Sequence, residues 1–365
     1  MKLTAERETL LAPLQAVIGV VERRQTMPVL ANVLVSVRDG RIAITATDLE
    51  VELVASAEVS VTTPGDITVP GRKLLDILRA LPEKSMVAIA LDNEKVSVKA
   101  GRSRFTLSSL PASEFPVIEN INAEQSVQLD CAALGQLLGK THFSMAQQDV
   151  RYYLNGMLLE IEGETLRAVA TDGHRLALCE KPLSRKAKTA QQVIIPRKGV
   201  LELQRILGDE GVCELAIGSN HIRAQIGDVR FTSKLIDGRF PEYSRVIPAA
   251  PPVAINADRD TLRQALQRTA ILSNEKYRGI RIHVKENLIT IQAHNPEQEE
   301  AEEEIEVKYD GVDLEVGFNV NYLLDALSAI DGAEVELGLT DSNSSCLIRS
   351  PGSSSARYVV MPMRL

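Results

Sequence analysis

Runs in which apolar and polar residues alternate occupy much of the chain. VLVSVRDGRIAITATD at 33–48 and HIRAQIGDVRFTSKLI at 221–236 are examples. Strict alternation over several residues is typical of a β-strand with one face buried. The pattern therefore predicts many short strands that form antiparallel sheets.

A second pattern, with apolar residues three or four positions apart, predicts helices. It follows ITVP, which ends at Pro70, as GRKLLDILRALP, and follows VIIP, which ends at Pro196, as RKGVLELQRILG. GFNVNYLLDALSAIDG, from Gly317, keeps the LLxxL spacing without the proline and the basic pair. Three further helical patterns are RETLLAPLQAVIGVV, CAALGQLLGKTHFSMA and RDTLRQALQRTAIL. Their predicted helix caps are Thr4, Asp130 and Asn256.

These elements recur in register along the chain. Pro70 and Pro196 are 126 residues apart, and the predicted caps are separated by 126 and 126. Other markers repeat at offsets of 123 to 125: Asp48, Asp172 and Asn295, and Pro116 with Pro241. Internal repetition of this kind indicates three domains, 1–120, 121–250 and 251–365. Each is predicted to be α+β, with two helices packed on antiparallel sheet. A tandem duplication that only enlarges a scaffold remains an alternative at this point.

Composition narrows the class of protein. The chain has 365 residues, 44% of them hydrophobic and 25% charged, which is typical of a soluble globular protein with two or three domains. MKLTAERETL does not resemble a signal peptide, and no apolar run approaches the roughly 18 residues that span a bilayer. The four cysteines, Cys131, Cys179, Cys213 and Cys346, are widely separated. We therefore expect reduced thiols in a cytoplasmic protein, without a disulfide framework, metal or cofactor.

The charges are sorted along the chain. A net charge of −8 argues against an ordinary nucleic-acid-binding protein. The predicted helices are nevertheless locally basic or neutral, while acid is densest in NPEQEEAEEEIE at 295–306. Cations on regular helices suit non-specific attraction to phosphates, although ordinary solvated helix faces are the alternative. The basic residues concerned are Arg72, Lys73, Arg79, Arg197, Lys198, Arg205, Arg259, Arg263, Arg268, Lys276 and Arg278.

Several segments together resemble the β subunit of bacterial DNA polymerase III, the sliding-clamp family, along the whole chain. They are TATDLE at 45–50, SMAQQDVRYYLNGM at 144–157, ATDGHRLA at 170–177, PRKGV at 196–200, KLIDGRFPEYSRV at 234–246, AILSNEK at 270–276, NPEQEEAEE at 295–303 and YVVMPMRL at 358–365. The resemblance implies the DNA clamp fold, in which two three-domain chains form a ring with helices lining the hole. It also implies a non-enzymatic processivity factor for DNA replication. Such a factor encircles double-stranded DNA without reading its sequence and tethers the DNA polymerase III catalytic subunit, the clamp loader, and other clamp-binding polymerases and repair proteins.

The resemblance also implies three sets of functional residues. DNA contacts fall on Arg24, Gln147, Gln148, Arg151, Tyr152 and Tyr153, with Lys73, Arg197 and Lys198 as further channel charges. The pocket for partner peptides falls on Leu154, Thr171, Gly173, His174, Arg175, Leu176, Pro241, Arg245, Val246, Asn319, Tyr322, Val359, Val360, Met361, Pro362, Met363 and Arg364. A tyrosine pair can stack on bases and sugars, and methionine adapts to several ligands. Without the resemblance, a strand entering the core would explain Tyr152 and Tyr153 as well, and a last core strand would explain the tail.

The dimer seam matches the family at Phe105, Leu107, Ile271 and Leu272, with Lys73 as a further seam charge. Independently of the resemblance, KVSVKAGRSRFTLS is a strand-like stretch that is lined by Lys95, Arg102 and Arg104. The acidic run supplies the opposite charges, Glu297, Glu299, Glu300 and Glu303. Opposite charges on two edge strands favour head-to-tail pairing, although an acidic solvated hairpin is the simpler interpretation of the run taken alone.

Two apparent motifs point to other classes of protein. GQLLGKT at 135–141 looks like a P-loop, but it has only three residues between its glycines and lies within a helical pattern. Asp172 and His174 in TDGHR could serve a hydrolase, which is the enzymatic alternative. The repeat partner TDLEV lacks the histidine, so we expect His174 to form a pocket wall. A structural repeat protein with an interaction tail is the third alternative.

Overall fold

The chain alternates short strands with six helices among the residues that the structure describes. This computed structural model describes residues 1–21, 27–118, 121–248 and 253–364. The helices are α1 (Arg7–Val17), α2 (Gly71–Ala80), α3 (Cys131–Gly139), α4 (Arg197–Ile206), α5 (Arg259–Thr269) and α6 (Val320–Ala329). All six coincide with helical patterns in the sequence, and Gly135 with Gly139 lies inside α3. Residues 135–139 of the GQLLGKT segment are therefore helical, so the segment is not a phosphate-binding loop.

Nearly all of the alternating segments form strands. In chain order they are β1 (Lys2–Glu6), β2 (Asn32–Arg38), β3 (Arg41–Thr47), β4 (Val51–Glu58), β5 (Ser60–Thr63), β6 (Gly65–Pro70), β7 (Met86–Asp92), β8 (Lys95–Ala100), β9 (Ser103–Ser108), β10 (Ala123–Asp130), β11 (Gly156–Glu162), β12 (Thr165–Thr171), β13 (Arg175–Pro182), β14 (Gln191–Pro196), β15 (Val212–Gly218), β16 (His221–Ile226), β17 (Val229–Lys234), β18 (Ala254–Asp258), β19 (Gly279–Lys285), β20 (Leu288–His294), β21 (Glu300–Glu306), β22 (Leu314–Asn319), β23 (Glu334–Gly338), β24 (Cys346–Arg349) and β25 (Ala356–Val360). Their pairings are antiparallel. Together with the helices they make the α+β class that the sequence predicts.

The chain divides into two compact units. The first contains Met1–Gly135 and Lys198–Leu235, with sheets ordered β5-β1-β7-β8-β9 and β10-β15-β16-β17-β4-β3-β2-β6. The second contains Gln136–Arg197 and Ile236–Leu365, with sheets ordered β14-β11-β12-β13-β25-β24-β23-β18 and β21-β20-β19-β22. In the second unit, α5 and α6 bury Leu262, Leu266, Leu323 and Leu327 in one apolar cluster with the strands. Burying each such side chain is worth roughly 1.5–3 kcal/mol.

The threefold repeat is visible in the strand order. Four-stranded groups β6-β2-β3-β4, β14-β11-β12-β13 and β22-β19-β20-β21 correspond to one another, as do β1-β7-β8-β9, β10-β15-β16-β17 and β18-β23-β24-β25. Two eight-stranded sheets arise because β4 pairs with β17, and β13 pairs with β25. The corresponding strands β21 and β9 instead lie at the ends of their sheets.

Two of the three predicted helix caps are wrong. Thr4 lies within β1 and Asn256 within β18, because in both repeats the strand continues to the residue before the helix. The cap of α5 is Asp258, whose carboxylate accepts a hydrogen bond from the Thr261 amide at 2.7 Å. Asp130 directly precedes α3, and Glu6 occupies the cap position of α1 without a side-chain hydrogen bond. The caps are therefore two residues later in the first and third repeats than the sequence pattern indicated.

Candidate functional site

An apolar cleft of about 160 Å³ opens in the second unit. Its floor belongs to a cluster in which Leu158, Val169, Leu176 and Val359 are buried and Val246 is half-buried. Most of its lining was predicted from the sequence. The lining residues are Arg151, Tyr153, Leu154, Thr171, Gly173, Arg175, Leu176, Pro241, Tyr243, Val246, Val359 and Met361. Such a concave, largely apolar cleft with a few polar groups is typical of a ligand site.

The turn between β12 and β13 forms one wall of this cleft. Asp172 Oδ1 accepts hydrogen bonds from the amides of His174 (2.9 Å) and Arg175 (3.0 Å), and Thr171 Oγ1 accepts one from the Gly173 amide (3.1 Å). Gly173 has φ +88°, which favours glycine. The carboxylate of Asp172 therefore holds the turn, and His174 is exposed. Asp48 makes the same two amide contacts in the first repeat (2.9 and 2.7 Å), so the Asp172 arrangement belongs to the fold and not to acid–base chemistry.

The guanidinium of Arg175 is held at the edge of the cleft by several groups. It donates hydrogen bonds to Asp172 Oδ2 (3.1 Å), to Asp325 and to the Phe143 carbonyl (2.7 Å). Its central carbon lies 4.5 Å from the centre of the Tyr322 ring. Burial raises the pKa of Tyr322, so its phenol stays neutral there. Asp325 and Phe143, which fix Arg175, were not found from the sequence, because both lie far from it along the chain.

The C-terminal segment continues from β25 past the same cleft. The Met361 amide donates to the His174 carbonyl (2.9 Å), and the Met363 amide donates to the Gly317 carbonyl (2.7 Å). Side chains alternate along this strand, so Val359 and Met361 line the cleft whereas Val360 is buried in the other apolar cluster. The predicted pocket residue Val360 is therefore not among the residues that line the cleft. The other predicted pocket residues that do not line the cleft are His174, Arg245, Asn319, Tyr322, Pro362, Met363 and Arg364.

A short loop before β11 carries most of the predicted DNA contacts. Gln147, Gln148 and Tyr152 are exposed, and Tyr152 is 60% exposed. Tyr153 is half-buried against the apolar floor of the cleft, and Arg151 also lines the cleft. Arg151 forms an ion pair with Asp149, and the hydrogen bonds from Arg151 hold the pKa of that carboxyl at about 2. The loop therefore presents polar groups outwards while its second tyrosine faces the cleft.

The predicted channel charges differ in their surroundings. Lys73 is exposed on α2. Arg197 is half-buried, with its guanidinium 3.4 Å from the Met145 carbonyl oxygen. Lys198 forms an ion pair with Asp48, with 2.5 Å between Nζ and Oδ2. Arg24 lies outside the described residues, so its place in the fold is not assigned.

The predicted seam residues lie at two sheet edges and beside them. The strand-like stretch that carries Lys95, Arg102 and Arg104 is a hairpin, with Lys95 on the inner strand β8, Arg102 in the turn and Arg104 on the edge strand β9. The expectation of a single strand is therefore wrong. Phe105 is half-buried and Leu107 buried on β9. On the other edge, Ile271 is 73% exposed and Leu272 half-buried after α5.

At the other sheet edge, β21, not all of the predicted acidic residues are available for ion pairs outside the chain. Glu297 and Glu299 are exposed just before β21, and Glu300 is exposed as its first residue. Glu303 instead receives two hydrogen bonds from Arg268 (2.7 and 2.8 Å), which lower its pKa. Arg268 is thus neutralised within the chain, and Glu303 is partly occupied by this ion pair.

Neither a metal-binding cluster nor a membrane-spanning helix occurs among the described residues. No group of three or more His, Cys, Asp or Glu side chains there is arranged to hold a metal ion. No described helix has the length and apolar character needed to cross a membrane. The four cysteines are buried thiols, and burial raises the pKa of Cys213 to about 12.

Three repeats of two helices on antiparallel sheet, with a cleft beside the second repeat, define a protein of the DNA clamp fold class. Models of the DNA polymerase III beta subunit match the chain as N-terminal domain at residues 1–119, central domain at 128–242 and C-terminal domain at 244–364. The chain belongs to the DNA polymerase III beta subunit family.

Relatives match over their full length. The beta sliding clamp of Pseudomonas putida is 55% identical over 100% of both chains. The crystal structure of DNA polymerase III subunit beta from Pseudomonas aeruginosa is 53% identical, covers 100% of both chains and has a TM-score of 0.98. A second structure from that organism, bound to griselimycin, has a TM-score of 0.97 at 53% identity and the same coverage.

Proposed function

We propose that two copies of this chain form a ring around double-stranded DNA and tether the DNA polymerase III catalytic subunit to it. The chain is a non-catalytic processivity factor of DNA replication, as the family membership supports. Its three domains are 1–120, 121–250 and 251–365, and it acts in the cytoplasm. The ring holds DNA by topology, which suits a protein with net charge −8 because tight chemical affinity for phosphates is unnecessary.

The observation that carries the ring is that two strands, β9 and β21, lack the second neighbour that their counterparts in the other repeats have. Inside the chain, β17 pairs with β4 and β25 pairs with β13. The equivalent strands β9 and β21 are sheet edges, so β9 of one protomer pairs with β21 of its partner. A two-fold axis then closes the ring with two identical seams. An exposed edge strand that is left unpaired favours uncontrolled association, and ring closure removes both edges.

The internal junctions also give the register of the seam. Phe231 lies opposite Leu53 at the first junction, and Tyr358 lies opposite Ala177 at the second. The corresponding residues at the seam are Phe105 and Ala301. Phe105 is half-buried whereas Phe231 and Tyr358 are buried, as expected for an aromatic ring whose covering strand comes from the partner.

An arginine recurs beside each of these aromatic residues. Arg230 at the first junction lies 3.9 Å from Glu52 on β4, and Arg357 at the second lies 2.8 Å from Glu180 on β13. The corresponding residue at the seam is Arg104. The same register places it opposite Glu302, with Glu300 and Glu304 two positions to either side. Together with Lys73, Lys95 and Arg102, it faces an acidic edge that includes Glu297, Glu299, Glu300 and Glu303.

Apolar contacts of Phe105, Leu107, Ile271 and Leu272 supply the affinity of the seam, and the charges set its direction. Replacing Ile271 and Leu272 by Ala should give monomers, because truncation costs a few kcal/mol at each of two seams. Light scattering measures the mass. An unchanged dimer would contradict the seam.

Basic helices line the hole and attract phosphates without reading sequence. Lys73, Arg197 and Lys198 supply charge, and Arg24, Gln147, Gln148, Arg151, Tyr152 and Tyr153 contact the duplex. The exposure of Gln147, Gln148 and Tyr152 supports this assignment. Lys198 contributes less than an isolated lysine because Asp48 neutralises it.

The apolar cleft binds peptide segments of the polymerase, the clamp loader, and other clamp-binding polymerases and repair proteins. Its floor of Leu154, Leu176, Val246 and Val359 suits apolar side chains, and Thr171, Gly173, Arg175, Pro241 and Met361 surround them. The more distant residues His174, Arg245, Asn319, Tyr322, Pro362, Met363 and Arg364 contact longer segments. Substitutions in the cleft test this peptide-binding proposal, because they should release the polymerase.

The ring itself is tested with loaded DNA. We expect the protein to stay on closed circular DNA and to be lost rapidly once the circle is cut, because a ring leaves through a free end. Gel filtration of the loaded DNA measures the retained protein. Equal retention on circular and linear DNA would contradict encirclement.

A further inference from the structure

A row of polar side chains crosses five neighbouring strands of the sheet below the cleft. Arg167 on β12 bonds Glu160 on β11 and also Glu180 on β13, the latter at 2.8 Å. Gln192 on β14 bonds Glu160, and Arg357 on β25 bonds Glu180 at 2.8 Å. We call these five residues the polar ladder. Its charged members are only 12–26% exposed, so their contacts are screened less than those of surface ion pairs.

Tyr243 connects the polar ladder to the cleft. Its hydroxyl donates to Glu160 and accepts from Arg167 Nη1 at 2.9 Å. The same residue lines the cleft between Pro241 and Val246. Burial and the hydrogen bond to Glu160 raise the pKa of Tyr243 to about 12, so the phenol keeps the proton that it donates. Burial raises the pKa of Glu160, but the bonds from Tyr243, Gln192 and Arg167 outweigh it and lower that pKa.

The opposite wall of the cleft is attached to the same ladder. Arg357, which bonds Glu180, lies two residues before Val359 on β25, and Val359 lines the cleft. Residues two apart on a strand share a face. The polar ladder therefore contacts both the segment from Pro241 to Val246 and the strand that carries Val359.

The described strands of the first and third repeats do not reproduce this ladder at the aligned positions. Strand pairing aligns Glu160, Arg167 and Glu180 with Ser36, Ala43 and Ser56 in the first repeat. In the third repeat the aligned residues are His283, Thr290 and Glu304. Neither set provides an arginine between two carboxylates. The ladder is thus not a requirement of the clamp domain, since the other two repeats fold without it.

We propose that the polar ladder, acting through the Tyr243 hydroxyl, positions the two walls of the partner cleft and thereby sets its affinity. The proposal rests on the proposed function of the cleft as the polymerase-binding site. Glu160, Arg167, Glu180 and Arg357 are positioning residues, since none of the four lines the cleft. A wall that is fixed before binding loses less conformational entropy when a peptide enters.

Tyr243→Phe tests the proposal because it keeps the aromatic wall and removes only the hydroxyl. We expect the full-length dimer to bind the DNA polymerase III catalytic subunit roughly tenfold more weakly, since one charge-assisted hydrogen bond is worth about 1.4 kcal/mol or more. The mass of the dimer should not change, because Tyr243 lines the cleft and is not among the proposed seam residues. Tyr309→Phe is the matched control, because Tyr309 also donates its hydroxyl to an oxygen within the chain, the Val312 carbonyl at 2.8 Å, and lies outside the cleft.

A double-mutant cycle with Glu160→Gln separates positioning from general stability. If Tyr243 acts through Glu160, the double variant should bind no more weakly than the weaker single variant. Additive losses, or equal losses for Tyr309→Phe, would overturn the proposal.

Val246→Asp puts a charge in the cleft and should abolish binding. If it does so while Tyr243→Phe binds within about twofold of the unaltered protein, the ladder proposal is wrong and the cleft assignment stands. If Val246→Asp binds normally, the cleft assignment itself is wrong, and the ladder proposal with it.

Discussion

Lys198 forms an ion pair with Asp48, with its ammonium nitrogen 2.5 Å from Asp48 Oδ2. The other carboxylate oxygen, Oδ1, accepts the amide hydrogens of Glu50 and Val51. One aspartate thus closes a turn of the first repeat and neutralises a lysine proposed to face DNA. The lysine side chain is 29% exposed and the aspartate 7%, so solvent does not fully screen the pair.

Asp48→Asn should strengthen the association of the ring with DNA. Asparagine keeps the Oδ1 acceptor for the turn but removes the charge that neutralises Lys198. We expect the plot of log affinity against log salt to steepen by about 0.9, the slope of one additional phosphate contact. Fluorescence anisotropy with a labelled duplex at several salt concentrations measures it. Asp341→Asn is the control, because Asp341 also accepts a backbone amide (Asn343, 2.8 Å) and the change in net charge is equal. Equal slopes for the two variants would rule out a role for Lys198.

Glu52 gives the junction between β4 and β17 a pH-dependent stability. Its side chain is 1% exposed and accepts the Ile118 amide at 2.7 Å. Burial raises the pKa of Glu52 above its ordinary value. At pH values between the ordinary pKa and the raised pKa of Glu52, the folded protein binds a proton that the unfolded chain releases. Stability is therefore gained as pH falls through this window and lost as pH rises through it.

Glu52→Gln should remove this dependence, because glutamine still offers an oxygen to the Ile118 amide and does not titrate. Relative to this variant, the unaltered protein should lose stability as pH rises from about 4.5. Thermal unfolding at a series of pH values measures the difference. Glu50→Gln, at an exposed neighbouring position, should follow the unaltered protein. The same pH slope in Glu52→Gln and the unaltered protein would disprove the assignment.

Local patterns in the sequence were enough to predict the strands and helices and their repetition along the chain. Alternation located strands such as β2 and β3, and the proline before each basic amphipathic segment located the starts of α2 and α4. The prediction of helix caps at Thr4 and Asn256 is wrong because each is a polar position of a strand that continues to the start of the helix. A local pattern does not distinguish the outward side of such a strand from a cap.

The contacts that position the cleft could not be predicted in this way. Tyr243 and Glu160 are 83 residues apart in the sequence, and Arg175 and Asp325 are 150 apart. Such pairs depend on strand order, which alternation does not determine. Tyr243 has one sequence signal, its position three residues after Phe240 in GRFPEYSRV, and that signal is informative only once Phe240 is known to be buried.

Asp258→Ala should destabilise the third repeat by about 1 kcal/mol, the usual contribution of a helix cap. The carboxylate accepts the Thr261 amide at 2.7 Å, and hydrogen bonds from the Thr261 side chain and amide lower the pKa of Asp258. Asn256→Ala, two residues earlier on β18, should have a smaller effect because the strand uses its backbone groups. Chemical denaturation of both variants compares them. A larger loss for Asn256→Ala would restore the original cap prediction.

The proposed seam makes a prediction about Arg104 that distinguishes it from the other basic residues nearby. In the register of the internal junctions, Arg104 on β9 lies opposite Glu302 on the partner's β21, whereas Lys95 lies on the inner strand β8. Arg104→Glu would place a carboxylate among acidic side chains at both seams. With about 1 kcal/mol per seam and two seams per ring, the dimer should dissociate roughly thirtyfold more readily. Sedimentation over a concentration series measures the dissociation constant.

Charge exchange then tests the register itself. Combining Arg104→Glu with Glu302→Arg restores an opposite pair in the same place, so the dimer should regain most of its stability. Combining Arg104→Glu with Glu306→Arg, four positions further along β21 on the same face, should restore less because the charges no longer meet. Lys95→Glu, the control for net charge, should weaken the dimer less than Arg104→Glu. Equal rescue by Glu302→Arg and Glu306→Arg would mean that β9 and β21 meet in another register, since the internal junctions allow only one partner opposite Arg104.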